Sequence, residues 1–232
     1  VQIEGLFPLA LGQVQLRPDP LIVARQLQAI LELRGLAEAN PDPACAWTGD
    51  INGVWQLHRH PTFAGLIEEL CVHACAYLDG LGFDRSRLAL HLQRCWPVVS
   101  GPGQVVGRHH HPNAHLSGVY YLNGDGSGHS GCLRLWPFRQ VNELVPGLAV
   151  GHDGPFRSPD GHPEGWMQPW FDVAPRAGLF VLFPSSTDHA VLPNGEDDGR
   201  FSISLDFVLT APAGAAAAEY LAPHPQEWLP LA

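Results

Sequence analysis

The chain has 232 residues, of which 45% are hydrophobic and 16% charged, with a formal net charge of −10. That length and apolar content suit one core with an added helical layer. No Lys/Arg block is present, which excludes a nucleic-acid footprint, and no apolar run is long enough to span a bilayer.

The first twelve residues are apolar but have neither a basic leader region nor a cleavage site, so no signal peptide is expected. Gly and Pro are abundant (25 and 22), which favours many short strands joined by turns. Five cysteines, Cys45, Cys71, Cys75, Cys95 and Cys132, lack zinc spacing. They read as buried free thiols in a reducing cytoplasm.

In chain order, residues 6–16 read as an extended opening segment. Asp19-Pro20 marks a helix start, with Asp as N-cap and Pro at the first helical position. Leu21, Ala24, Leu27, Ile30 and Leu31 recur at helical spacing as far as Gly35, a candidate C-cap. A polar loop follows to about residue 52. Residues 61–82 predict a second amphipathic helix, with Phe63, Leu66, Ile67, Leu70, Ala74, Leu78 and Leu81 on one face.

From residue 88 the pattern changes to strands, at 88–99, 115–122, 132–138, 170–173, 179–183, 189–192 and 201–209. Strands following two helices predict a mostly β chain with some α. The expected architecture is a double-stranded β-helix (a cupin-like jelly roll) backed by N-terminal helices. The expected domain plan is a single domain over 1–232. Residues 1–87 form its helical support layer, 88–210 its jelly-roll core and 211–232 a C-terminal tail. The stretch 147–165, rich in Gly, Pro, Asp and His, reads as a lid. The alanine tract 213–218 carries no assignment.

Chemistry concentrates at Arg108-His109-His110-His111-Pro112-Asn113. In extended chain, residues two apart share a face, so His109 and His111 converge while His110 points away. Neutral imidazole is a good ligand for iron, zinc, copper or nickel. His189, opening a strand after a loop ending in Asp188, is the best third ligand. His129, His152 and His162 read as non-functional loop residues, and His115 as a residue able to meet substrate. Downstream, Arg200 and Ser202 share one face of the last strand, with Phe201 on the other. An inward Arg is costly unless it meets a carboxylate, which its planar fork matches bidentately. The competing expectation is an edge Arg paired with Asp197 or Asp198. Arg134, Trp136, Arg139, Trp166 and Trp170 could line a substrate pocket, with Arg134 facing the cavity to hold an acidic group.

These residues carry a family resemblance. The run His109-x-His111-Pro112-Asn113, then Ser117-Gly118-Val119-Tyr120-Tyr121-Leu122, resembles the bacterial and phage group of iron(II)- and 2-oxoglutarate-dependent oxygenases. The likeness extends over Leu6-Phe7-Pro8, the two helices, Trp96, His189 and Arg200-Phe201-Ser202. It implies Fe(II) held by His109, His111 and His189, with 2-oxoglutarate and O2 as co-substrates. Arg200, Ser202 and Tyr121 would bind the 2-oxoglutarate. Hydroxylation of a small-molecule or peptide substrate, with release of succinate and CO2, is the default outcome.

One departure matters. The superfamily pattern has a carboxylate where this chain has His111, and three neutral imidazoles leave the site one unit more positive. Asn113 or Asp188 are alternative third ligands. Two other readings stand beside this one: a three-histidine cupin-like dioxygenase that uses no 2-oxoglutarate, and a non-catalytic jelly-roll protein that binds metal or ligand.

Overall fold

In the computed structural model, which describes residues 2–6, 8–145, 165–215 and 220–231, Asp19 caps the first helix. Its carboxylate accepts a hydrogen bond from the Leu21 amide at 2.8 Å. Pro20 takes the first helical position, where its missing N–H leaves no bond unmade. The helix, α1 (Pro20–Leu36), follows a short strand, β1 (Gly12–Gln15). It runs through Gly35 and ends at Ala37, so the expected glycine cap is unused. Its inner face is also rotated: Gln26, Ala29 and Ile30 are buried, whereas Leu21 and Leu31 are exposed. The helix packs chiefly against the turn at Pro61–Phe63, so only a narrow stripe of it is covered.

Where a single helix is expected over 61–82, Pro61–Phe63 forms a 3-10 turn and α2 spans Ala64–Gly80. Ile67, Leu70, Ala74 and Leu78 are buried as the period requires. Leu81 lies beyond the helix and is exposed. Among the described residues no helix is long and apolar enough to cross a membrane.

The remaining elements are strands. They are β2 (Trp47–Thr48), β3 (Ala89–Ser100), β4 (Val106–His109), β5 (Leu116–Tyr121), β6 (Leu133–Leu135), β7 (Phe171–Val173), β8 (Leu179–Pro184), β9 (His189–Val191) and β10 (Arg200–Thr210). A six-stranded sheet has the order β1-β8-β5-β10-β3-β2, and a four-stranded sheet the order β4-β9-β6-β7. Every strand pairing in them is antiparallel. Two such sheets, with helices outside the larger one, make the expected jelly roll. The strand expected over 132–138 is only three residues long, and Pro137 cannot donate to a ladder. Two strands, β2 and β4, come from stretches with no strand assignment.

Period-two alternation assigns each face of the larger sheet its own core. On β8, Phe180 and Leu182 join α2 and Ile30, whereas Leu179, Val181 and Phe183 pack between the sheets. On β5, Tyr120 joins the helical side and Tyr121 the interior. On β10, Ile203, Leu205 and Phe207 face the helical side, leaving Arg200, Ser202, Ser204 and Asp206 on the opposite face. A strand buried on both sides, yet polar along one face, needs something polar to meet.

Candidate metal centre and its cavity

A cavity of about 410 Å³ opens between the two sheets, lined by residues of β2, β3, β4, β5, β6, β8, β9 and β10. Three of its lining residues are His109, His111 and His189. One ligand atom from each lies within 4.8 Å of the others, a spacing that could hold one metal ion. The ring centroids are 4.3 Å apart for His109 and His189, and 5.2 Å for His109 and His111.

Local folding explains the convergence. Register pairs His109 at the end of β4 directly with His189 at the start of β9. The strand stops at His109, so His111 reaches the same point from the following turn rather than from a continuing strand. His110 points away, its Nδ1 3.2 Å from Asp188.

Each imidazole is held through Nδ1: His109 against the Gly107 carbonyl (2.7 Å), His189 against the Thr187 carbonyl (2.9 Å) and His111 against Asp206 (2.6 Å). An acceptor at Nδ1 fixes the tautomer in which Nε2 carries the free lone pair, which is how metal-binding histidines are usually oriented. Burial, with His109 alongside, pushes the His189 imidazole down to about 3, and burial also lowers His109. Both therefore stay neutral and able to ligate at neutral pH. The donor set fits a divalent transition metal with open coordination positions.

Of the alternative ligands, Asp188 is engaged by Arg108 (2.8 Å) and His110, and Asn113 lies 3.5 Å from Arg94. Asp188 does not belong to the cluster.

Arg200 also lines the cavity and is 1% exposed. It donates to the Gly131 carbonyl (2.7 Å) and Ser100 Oγ (2.6 Å), not to Asp197 or Asp198. No carboxylate meets it among the described residues, and its Nε has no partner. Tyr121 is buried beside it with an unpartnered hydroxyl, which burial raises to about 12. Ser202, directly opposite Tyr121 in register, completes this end of the cavity. A buried cation with no carboxylate partner among the described residues, beside a buried phenol with no acceptor there, fits a carboxylate-bearing ligand.

Asp206 had no part in the sequence reading. It is fully buried, on the same strand face as Arg200, and accepts from Ser117 Oγ (3.2 Å) and Arg94 as well as meeting His111. Its period-two spacing from Arg200 and Ser202 was the available signal. Burial acts to raise its pKa, but the hydrogen bonds from His111 and Arg94 outweigh that and hold the carboxyl below its ordinary value.

Other expected pocket residues lie elsewhere. Arg134 pairs bidentately with Asp172 (both contacts 2.7 Å) and stacks on Trp170 at 4.3 Å, so it does not line the cavity. Cross-strand register between β6 and β7 explains this, since Arg134 sits directly opposite Asp172. Trp136 carries Arg108 over its ring at 4.6 Å, and Arg139 and Trp166 are exposed. His115 is turned to the Leu209 amide. The expected lid (147–165, apart from Gly165), with His152 and His162, lies outside the described residues, as do Phe7 and positions 216–218 of the alanine tract.

Residues 94–206 match the family described as "Putative 2OG-Fe(II) oxygenase". This segment carries the likeness to the 2OG-Fe(II) oxygenases. It contains all three histidines, Arg200 and Asp206. No curated protein matches the chain by sequence. Among solved structures, the chain is similar to the non-heme alpha ketoglutarate dependent carbocyclase SnoK from nogalamycin biosynthesis. The identity is 18% over 88% of this chain and 82% of that one, with a TM-score of 0.60. A prolyl-4-hydroxylase from Pseudomonas putida is 20% identical over 86% and 92%, with a TM-score of 0.55. HygX from Streptomyces hygroscopicus, solved with nickel and 2-oxoglutarate bound, is 13% identical over 86% and 83%, with a TM-score of 0.54. At such identities the likeness establishes the fold alone.

Proposed function

We propose that the chain is an Fe(II)- and 2-oxoglutarate-dependent oxygenase acting as one domain over 1–232. In this reading His109, His111 and His189 hold the metal through Nε2. Arg200, Ser202 and Tyr121 receive the far carboxylate of 2-oxoglutarate. One observation carries it: Arg200 is a buried cation with no carboxylate partner among the described residues, in the cavity that also holds the histidine cluster. An uncompensated buried charge costs several kcal/mol, which a bidentate carboxylate offsets.

Fe(II) with 2-oxoglutarate and O2 supplies the oxidation of a substrate C–H bond, with release of succinate and CO2. The protein's own part is to fix the imidazole tautomers and to present Arg200 in a water-poor wall. It also orients the substrate, a small molecule or peptide. Thr48, Asp50, Trp96 and Arg108 line the same cavity and offer that substrate polar and aromatic surface. Hydroxylation is the default outcome, although similar folds include an epimerase and a carbocyclase. The five free cysteines suit a reducing, cytoplasmic setting.

Anaerobic titration of metal-free protein with Fe(II), then 2-oxoglutarate, tests this. A visible charge-transfer band is expected in the wild type and weakened in Arg200→Ala and His189→Ala. The three-imidazole donor set favours a second reading, a three-histidine dioxygenase that uses no 2-oxoglutarate. Iron binding that ignores 2-oxoglutarate would select it.

A further inference from the structure

We infer that Asp206 is a positioning residue for the metal centre, supplying from behind His111 the negative charge that a carboxylate ligand would otherwise bring. The inference rests on the metal reading above. Three neutral imidazoles leave a divalent ion one unit more positive than two imidazoles and a carboxylate do. A fully buried Asp in contact with the third imidazole is where that unit can come from.

The geometry separates this role from simple ion pairing. Asp206 divides its oxygens: Oδ1 meets His111 Nδ1 and Ser117 Oγ, and Oδ2 accepts from Arg94. Ser117 in turn contacts Ser185, so the Oδ1 side is enclosed by hydroxyls and His111. Arg94 does not cancel the charge, because it also lies 3.8 Å from Asp50. Two carboxylates and one guanidinium leave the network with one net negative charge. Arg108 of the cavity wall is itself paired with Asp188 at 2.8 Å.

The backbone is shaped for this contact. The β10–β3 register slips just beyond Asp206, with Asp206 opposite Arg94 but Phe207 opposite Leu92. A bulge of this kind re-aims side chains. On its other edge Asp206 pairs with Ser117 of β5. The Trp96 ring packs beside His111, its centroid 5.7 Å away.

Calorimetric titration of the metal-free protein with Co(II) tests the inference, with folding checked by circular dichroism. Asp206→Asn keeps shape and an acceptor but removes the charge, and is expected to weaken Co(II) binding about 10- to 100-fold. In a His111→Asp background, where the ligand itself carries the charge, the same change should cost no more than about threefold. Equal losses in both backgrounds, or wild-type affinity in Asp206→Asn, would overturn the inference. If Asp206→Asn fails to fold, Asp50→Asn decides: it removes a unit of the same charge without touching His111. A loss of about threefold is expected for it, and no loss overturns the inference. A wild type that binds no Co(II) would instead sink the metal reading itself.

Discussion

Arg200 and Asp206 stand at opposite ends of one polar face of β10, about 20 Å apart along the strand. The first is a buried cation without a carboxylate partner among the described residues, and the second a buried carboxylate against His111. Ser202 and Ser204 line the cavity between them. In the proposed reading one strand thus carries the groups for the co-substrate end and the metal end of the cavity, and the variants below separate the two.

Replacing His189 should abolish metal binding rather than perturb the fold. His189→Ala is expected to weaken Co(II) affinity by more than the roughly 100-fold ceiling typical of residues behind a ligand. Calorimetry with the metal alone reads this, and retained tight binding would remove His189 from the ligand set.

Arg200→Met should spare the metal and remove the co-substrate. Loss of a buried charge pair is worth about 3 kcal/mol, or roughly 100-fold in 2-oxoglutarate affinity. Thermal melts of the metal-loaded protein should show a 2-oxoglutarate-dependent rise in wild type and none in the variant. An equal rise in both would place the co-substrate elsewhere.

The metal-free protein should be acid-sensitive. Burial holds His189 at about 3, well below the unfolded value near 6.5. Between those values the unfolded chain binds the extra proton, so the stability this residue permits is complete above about pH 6.5 and lost as pH falls toward 3. Asp206, held below its ordinary value, adds loss in the same direction as pH falls through its folded pKa. Urea midpoints at about pH 7 and pH 5 should drop more for wild type than for His189→Gln; an identical drop would refute this.

Arg134→Ala should be nearly silent for function. Its pairing with Asp172 is part-exposed and its stacking on Trp170 modest, so a loss of up to about 1 kcal/mol is expected, with Co(II) and 2-oxoglutarate binding unchanged. A double-mutant cycle with Asp172→Ala measures the pair, and a large binding defect would return Arg134 to the cavity.

Gly118→Ala should destabilise by about 1–3 kcal/mol, because an added Cβ would sit 2.8 Å from the Phe180 ring in the tightly packed sheet. Chemical denaturation measures this, and a neutral result would show that Phe180 can yield. The glycine in the Ser117-Gly118-Val119 run is thus explained by packing alone.

By itself the sequence determined the jelly roll with its outer helices, and it singled out His109, His111, His189, Arg200 and Ser202 as candidates, with Tyr121 added by the family resemblance. Those features are local: strand alternation, an Asp-Pro helix start, and histidines too closely spaced for packing to explain. Only the tertiary structure decided which side chains meet across strands. Arg134 was drawn to Asp172 by the β6–β7 register, His111 arrived from a turn rather than a strand, and Asp206 came to rest behind it from a strand 95 residues away in sequence. Periodicity tells which face a residue occupies, but its partner depends on pairing register, bulges and loop ends, which no local pattern encodes.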